Sequence, residues 1–321
     1  MIDSFHKPVL TNEIVKFLAP KKNNIYVDAT LGTGGHTLAL LRKEPNLTIV
    51  GIDQDKEAIE LAKQNLQQFK NRVIFIQENF NALVSILALN KIKKIDGILF
   101  DLGISSNQID SNRGFSYLRN SKLDMRMNQN TKLNAFQIIN NYKERELIDI
   151  FKKYGEERFA TPIAKRIVKI RMKSPIETTS QLANIIDQAI RKRNLVKTKS
   201  RIFQAIRIVV NNELFSLREA LKDCLKVLNV NGRIVAISYH SLEDRIIKKF
   251  FQYESLKCIC PPNLPKCGCN KIQTLKIITR KPVVPTDEEI KNNSRARSAK
   301  LRVAERCYNE RKINEYSNHY L

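Results

Sequence analysis

With 321 residues, 42% of them hydrophobic, the chain can build one large domain or two modest ones around a packed core. No apolar run reaches membrane-spanning length, and Met1-Ile-Asp-Ser-Phe-His6 carries neither the basic nor the apolar block of a signal peptide, so a cytoplasmic protein with no membrane partner is expected. The net charge of +24 excludes little by itself, because a Lys-, Asn- and Ile-rich composition inflates it, but it favours a polyanionic partner.

In chain order, the first element is an apolar strand that ends in a glycine-rich turn, Ile25-Tyr-Val-Asp-Ala-Thr-Leu-Gly-Thr-Gly-Gly-His36. A second strand, Thr48-Ile-Val-Gly-Ile-Asp-Gln-Asp55, places Asp53 about 20 residues past the glycines, the distance that suits a ribose hydroxyl pair. The turn has Gly32, Gly34 and Gly35, yet Thr37 stands where Gly-x-Gly-x-x-Gly needs its last glycine, and no Gly-Lys-Ser/Thr follows. Asp28, just before the turn, would repel a pyrophosphate and suits a cation. S-adenosylmethionine carries a sulfonium, an ammonium and no phosphate, so it fits better than a dinucleotide. The plain alternative is a glycine turn that only lets a helix pack on a strand.

Five β-rich runs are expected at 25–31, 48–53, 72–77, 95–101 and 232–238, the first four alternating with helical stretches such as 56–66. This rhythm predicts an α/β fold with a parallel sheet and crossover helices. Between Asp101 and Gly232 no strand is evident. Helical periodicity near 134–150, 157–172 and 180–193, with Pro162 and Pro175 as boundaries, predicts an inserted helical subdomain over 111–201, leaving 1–110 and 202–321 as the cofactor-binding domain. The helix 202–214 is expected to return the chain to that domain, and 217–228 to lead into the fifth strand. Ser241 and Asp244 read as a capping-box variant at the start of the next helix. Runs at 275–283 and 299–304 alternate like a closing pair of strands.

Four of the six cysteines, Cys258, Cys260, Cys267 and Cys269, fall in one Pro-rich loop. Four thiolates can hold one structural zinc in a tetrahedral site, although Cys-x-Cys is tighter than the usual spacing, and four reduced thiols fit equally well. Two tracts are basic and free of acids: 191–201, with Arg191, Lys192 and Arg193, and 293–302, with Arg295 and Arg297. Together they favour nucleic acid contact over two merely solvated faces.

Ligands in parallel α/β sheets lie at the carboxyl ends of the strands. Those ends supply Asp28, Gly32 to His36, Asp53, Glu78-Asn-Phe80, Asp101 to Gln108 and His240-Ser241. Asp53 can accept both ribose hydroxyls, Phe80 can cover an adenine, and Asp101 can meet the sulfonium side or the incoming nucleophile. Asp101 and His240 are the candidate catalytic residues. For Asp101 the competing role is cofactor binding, and for His240 it is satisfying a loop at a helix start.

Taken together, Thr33-Gly-Gly-His36, Asp101-Leu-Gly-Ile-Ser-Ser-Asn-Gln-Ile-Asp110, Arg113-Gly-Phe-Ser116, Leu123-Asp-Met-Arg-Met127, Tyr154-Gly-Glu-Glu-Arg-Phe159, Phe203-Gln-Ala-Ile-Arg207, His240-Ser-Leu-Glu-Asp-Arg245 and Ser294-Arg-Ala-Arg-Ser298 resemble the ribosomal RNA small subunit methyltransferase H family, also called MraW. The resemblance runs from His6 nearly to Cys307. It implies a class I methyltransferase (Rossmann-like) sheet with an inserted all-helical, substrate-recognising subdomain. It also implies S-adenosyl-L-methionine as methyl donor and the N4 amine of a cytidine near the decoding site of bacterial small-subunit (16S) ribosomal RNA as acceptor. The family's cofactor positions fall on Gly34, Gly35, His36, Asp53, Phe80, Asp101 and Gln108, all matching in type. Asp28 is not among them, and Gln108 is supplied by the resemblance alone. Many base-amine methyltransferases carry Asp/Asn/Ser-Pro-Pro-aromatic after the fourth strand; here Asp101-Leu-Gly-Ile104 stands instead. The competing readings are a methyltransferase for another nucleic acid and a non-catalytic RNA-binding assembly factor.

Overall fold

A computed structural model describes residues 8–190, 195–261 and 267–307. Seven strands form one sheet: β1 (Ile25–Asp28), β2 (Thr48–Asp53), β3 (Val73–Gln77), β4 (Ile95–Asp101), β5 (Leu228–Ser238), β6 (Leu275–Ile277) and β7 (Lys300–Arg306). Their order is β3-β2-β1-β4-β5-β7-β6, with β1 to β5 parallel and β7 antiparallel to both of its neighbours. The expected fold class, an α/β sheet of Rossmann type, is the one observed.

The central strands are apolar on both faces because both faces are covered. Successive side chains alternate between two cores. Val50, Phe100 and Ala236 enter one, with Leu221 and Phe251 from flanking helices, while Ile49, Leu99 and Val235 enter the other, with Ile14 and Leu40. The strand order reverses between β1 and β4, the switch point where such sheets hold ligands. There the register sets Asp28 beside Gly51 and Leu99, and Asp101 beside Ile237.

Of the closing pair of strands, β7 lies close to the expected 299–304, whereas β6 is shorter than the expected 275–283. β6 stops at Ile277, and beyond Pro282, which has no N–H to donate, only Val283 bridges to Leu301.

The chain separates into two compact units, one formed by the segments up to Gly103 and from Ser216 onward, the other by Ile104–Phe215. The second unit is helical, and its boundaries lie outside the expected 111–201. The helix Leu195–Val210 belongs to it, burying Ile202, Phe203, Ala205 and Ile206 in the core formed with Ile138, Phe151, Ile163 and Ile186. Gly155 permits the close approach of this helix, since a Cβ there would lie 2.9 Å from the Arg201 carbonyl oxygen.

The stretch expected as one helix at 134–150 is two, Ala135–Asn141 and Glu144–Gly155. Asn134 caps the first in a capping box with Gln137, Tyr142 turns extended, and the Arg171 guanidinium donates to the carbonyls of Ile139 and Tyr142 that the break frees. The third helix starts at Ala160, not at 157, because Glu157 is buried and accepts the Phe159 N–H just ahead of it. Pro162 therefore sits in the first turn, where a missing N–H costs nothing. Among the described residues no helix is long and apolar enough to cross a membrane.

Candidate active site

The site grows from the glycine turn after β1. Gly32 (φ +52) and Gly34 (φ +85) adopt left-handed conformations, and a Cβ on Gly34 would lie 2.8 Å from Leu66 Cδ1. Gly34 caps the helix Gly35–Lys43 that follows. The turn is tied to its neighbours: Gly32 N–H donates to Asp53 Oδ2 at 2.8 Å, Leu31 N–H to the Ile52 carbonyl at 2.9 Å, and Ala29 N–H to the Leu99 carbonyl at 2.9 Å. Asp28 is 2% exposed and serves this same turn, accepting from Thr37 Oγ1 at 2.7 Å and from Thr30 N–H at 3.3 Å. Both of its oxygens are engaged inside the fold, and burial raises its carboxyl above the ordinary range.

Asp53 ends β2 and is half-buried. Its two oxygens accept from Gly32 N–H and, at 2.9 Å, from Asp55 N–H. Burial pushes its carboxyl up to about 6 against those two hydrogen bonds. Glu78 N–H donates to the Asp53 carbonyl, which brings the turn after β3 alongside. Phe80 follows in that turn, edge-on to Phe100 with ring centroids 5.7 Å apart.

Asp101 ends β4. His36 Nε2 lies 3.2 Å from its Oδ2, Tyr239 donates to its Oδ1 at 2.8 Å, and its own N–H donates to Thr30 Oγ1 at 2.6 Å. Burial and the Asp101 charge hold the Tyr239 hydroxyl well above its ordinary pKa, so it stays a donor at neutral pH. His36 is 5% exposed, and its Nδ1 has no hydrogen-bond partner among the described residues. Gly34, Gly35, His36, Asp53, Phe80 and Asp101 are thus gathered at the carboxyl ends of β1 to β4. Asp53 and Asp101 bring two carboxylates to these ends, which suits a cationic ligand and disfavours a pyrophosphate.

Other expected residues are placed differently. His240 caps the helix Ser241–Glu254: its Nδ1 accepts the Glu243 N–H, and the Glu243 carboxylate returns to the Tyr239 and His240 N–H groups. The capping pair is therefore His240 with Glu243, not Ser241 with Asp244; Asp244 binds Arg302 at 2.6 and 3.2 Å instead. His240 Nε2 also lies 3.1 Å from Glu243 Oε1, without hydrogen-bond alignment. Gln108 belongs to the helical unit, where it forms a capping box with Ser105.

Arg295 and Arg297 are exposed in the turn Ser294–Ser298. Arg191, Lys192 and Arg193 lie outside the described residues. The four cysteines of the loop converge, with Sγ–Sγ distances of 3.4 Å (Cys258–Cys267), 3.5 Å (Cys267–Cys269), 3.7 Å (Cys258–Cys269) and 3.8 Å (Cys260–Cys267).

Sequence reasoning missed Thr30, Thr37 and Tyr239. Tyr239 had a usable signal, since it ends the run of β5 directly before His240. The threonines had none, because a hydroxyl that serves a turn looks like any other threonine.

Residues 3–307 match the model of the MraW methylase family. The chain belongs to that family. It is 49% identical over 304 residues to the ribosomal RNA small subunit methyltransferase H of Caldicellulosiruptor saccharolyticus, covering 94% of this chain and 99% of that one. The corresponding protein of Halothermothrix orenii is 48% identical over 309 residues, 95% and 99% of the two chains. That of Clostridioides difficile is 45% identical over 306 residues, 94% and 98%.

The raised carboxyl of Asp53 sets a pH dependence. Between about pH 4 and 6 the folded chain retains a proton that the unfolded chain has released, so the stability from this group is fullest below about pH 4 and falls as pH rises through 6. A ribose on Asp53 needs the ionised acceptor, so affinity for S-adenosylhomocysteine, followed by calorimetry, is expected to rise through pH 6 and level above it. Asp53→Ala is expected to remove that step and to weaken binding by about 1–3 kcal/mol. Unchanged affinity in the variant would remove Asp53 from the ribose.

Proposed function

We propose that this chain transfers a methyl group from S-adenosyl-L-methionine to the N4 amine of a cytidine in bacterial small-subunit ribosomal RNA, in the cytoplasm. The observation that carries this reading is the strand-end constellation of Asp53, Asp101 and the His36 turn in a chain of the MraW methylase family. The donor set fits the cofactor: one carboxylate with spare lone pairs for a ribose, and a second held rigidly at the end of β4. When bound, S-adenosylmethionine supplies an electrophilic methyl group on sulfur.

In this reading Gly34 and Gly35 keep the turn close against Leu66 and Pro8 and so shape the cofactor site, Asp53 takes the ribose, and Phe80 flanks the adenine. The family pattern alone assigns Gln108 to the cofactor. Asp101 faces the reacting end. The N4 amine is a weak nucleophile because its lone pair is delocalised into the ring, and an ionised acceptor beside its N–H localises that pair and takes the proton. Tyr239 and His36 hold both oxygens of Asp101, which fixes the direction of its free lone pairs. His240 is engaged as a helix cap and enters as a positioning residue for Tyr239 and its neighbours. The helical unit, Ile104–Phe215, serves substrate recognition, and Arg295 and Arg297 contribute phosphate contacts.

The cysteine loop holds one structural zinc in this reading. A tetrahedral zinc with bonds of about 2.3 Å spaces its sulfurs about 3.8 Å apart, close to the separations observed. The N–H groups of Ile259 and Cys260 each lie 3.3 Å from a cysteine sulfur, Sγ of Cys269 and of Cys258, which suits thiolate ligands. All four ligands belong to the protein, so the metal would brace the loop and take no part in methyl transfer.

Two expectations follow. Purified chain with labelled methyl donor should label small ribosomal subunits taken from cells that lack it, and nucleoside analysis should find the label in N4-methylcytidine. In that assay Asp101→Asn should lower kcat about 100-fold or more with a smaller change in S-adenosylhomocysteine affinity. Label in another nucleoside, or none, would overturn the reading; an unchanged kcat would remove Asp101 from the proton path. Elemental analysis of protein prepared without added metal should find one zinc per chain, lost in Cys267→Ser, and a metal-free wild type would leave four plain thiols.

A further inference from the structure

The helices on either side of β5, Glu213–Val227 and Ser241–Glu254, bury Leu217, Leu221, Ile247 and Phe251 in one core. Their outer flanks enclose a groove of about 380 Å³. Arg218 and Lys222, one helical turn apart, line it from the first helix; Arg245 and Lys249, again one turn apart, line it from the second. Ile246 supplies apolar surface between them, over the fully buried Leu221, and Phe250 and Tyr253 lie at the end where the second helix finishes. Among the described residues no acidic side chain lines it, although Glu219 pairs with Lys222 at its margin at 2.7 Å.

Two features set this groove apart from an ordinary charged surface. Apolar side chains lie between its cations, unlike a merely solvated charged face, and its excess of positive charge suits a polyanion. Tyr253 is 49% exposed beside them, with Lys271 Nζ 4.7 Å from its ring centroid. Cationic rims around an apolar floor with an exposed aromatic suit a single-stranded nucleic acid, which presents phosphates outward and base faces for stacking. The helix Ser241–Glu254 also begins next to Tyr239, the residue that holds Asp101, so a strand lying along it is led back to the carboxyl end of β5.

We propose that this groove is a second RNA-contact surface, gripping a single-stranded stretch of the substrate RNA with phosphates on the Arg218/Lys222 and Arg245/Lys249 rims and a base stacked on Tyr253. It rests on the RNA-substrate reading above.

The test uses the full chain, a fluorescent single-stranded RNA of about 12 nucleotides and small ribosomal subunits. In the triple variant Arg218→Ala, Lys222→Ala, Lys249→Ala, the slope of log affinity for the RNA against log KCl should shrink by about 2, near 0.7 for each lost phosphate contact. Tyr253→Ala should bind the RNA roughly tenfold more weakly. Both should raise KM for subunits more than they lower kcat, with S-adenosylhomocysteine affinity unchanged as the sign that the fold is intact. Wild-type methylation with RNA affinity and salt slope unchanged in the triple variant would overturn the groove assignment alone. A wild type that neither binds RNA nor methylates it would overturn the RNA-substrate reading and the groove with it. Loss of binding to phosphatidylglycerol vesicles with RNA binding unchanged would overturn the proposal and assign the face to an anionic lipid surface.

Discussion

One hydrogen bond organises the site: the Gly32 N–H on Asp53 Oδ2, 2.8 Å long, which ties the end of β2 to the turn after β1. The turn has to pass through left-handed conformations at Gly32 and Gly34 to reach the helix Gly35–Lys43, and it needs fixed acceptors to hold that course. Asp53 supplies one from outside the turn, and Asp28, through Thr30 and Thr37, supplies others from its base. Thr30 in turn accepts the Asp101 N–H, so β2, β1 and β4 are stitched together within a few residues. His36, the second residue of the helix, then arrives at Asp101 by geometry that backbone and threonine contacts have already set.

The electrostatics follow from the same crowding. Asp28 and Asp53 both titrate above the ordinary carboxyl range because the fold buries them. Asp28 is satisfied internally. Asp53 and Asp101 keep lone pairs for a ligand and bring two carboxylates to the strand ends of a chain whose net charge is +24. A positively charged donor relieves this arrangement, whereas a phosphate would aggravate it. Basic groups stand on the exposed turn Ser294–Ser298 and along the helices flanking β5.

The sheet was legible in the sequence because its strands are short, apolar on both faces and spaced by amphipathic helices; β1 to β4 lie where those runs predict. The glycine turn, Asp53 and Asp101 were singled out because strand ends are where such sheets hold ligands, and the structure brings them together there. What escaped depends on contacts that a linear pattern does not carry. The break at Tyr142 is supported by Arg171, about 30 residues later in the chain. The helix Leu195–Val210 has the periodicity of either unit, and only its packing on Phe151 and Ile163 shows which core it joins. His240 was weighed both as a catalytic candidate and as a residue satisfying a helix start, and its Nδ1 on the Glu243 N–H shows the second role.

The most direct test is a crystal structure of the chain with S-adenosylhomocysteine. Both ribose hydroxyls are predicted to lie within hydrogen-bond distance of Asp53, with the sulfur end toward Asp101 and the adenine beside Phe80. A ligand bound away from the ends of β1, β2 and β4, or a ribose that leaves Asp53 untouched, would contradict the account.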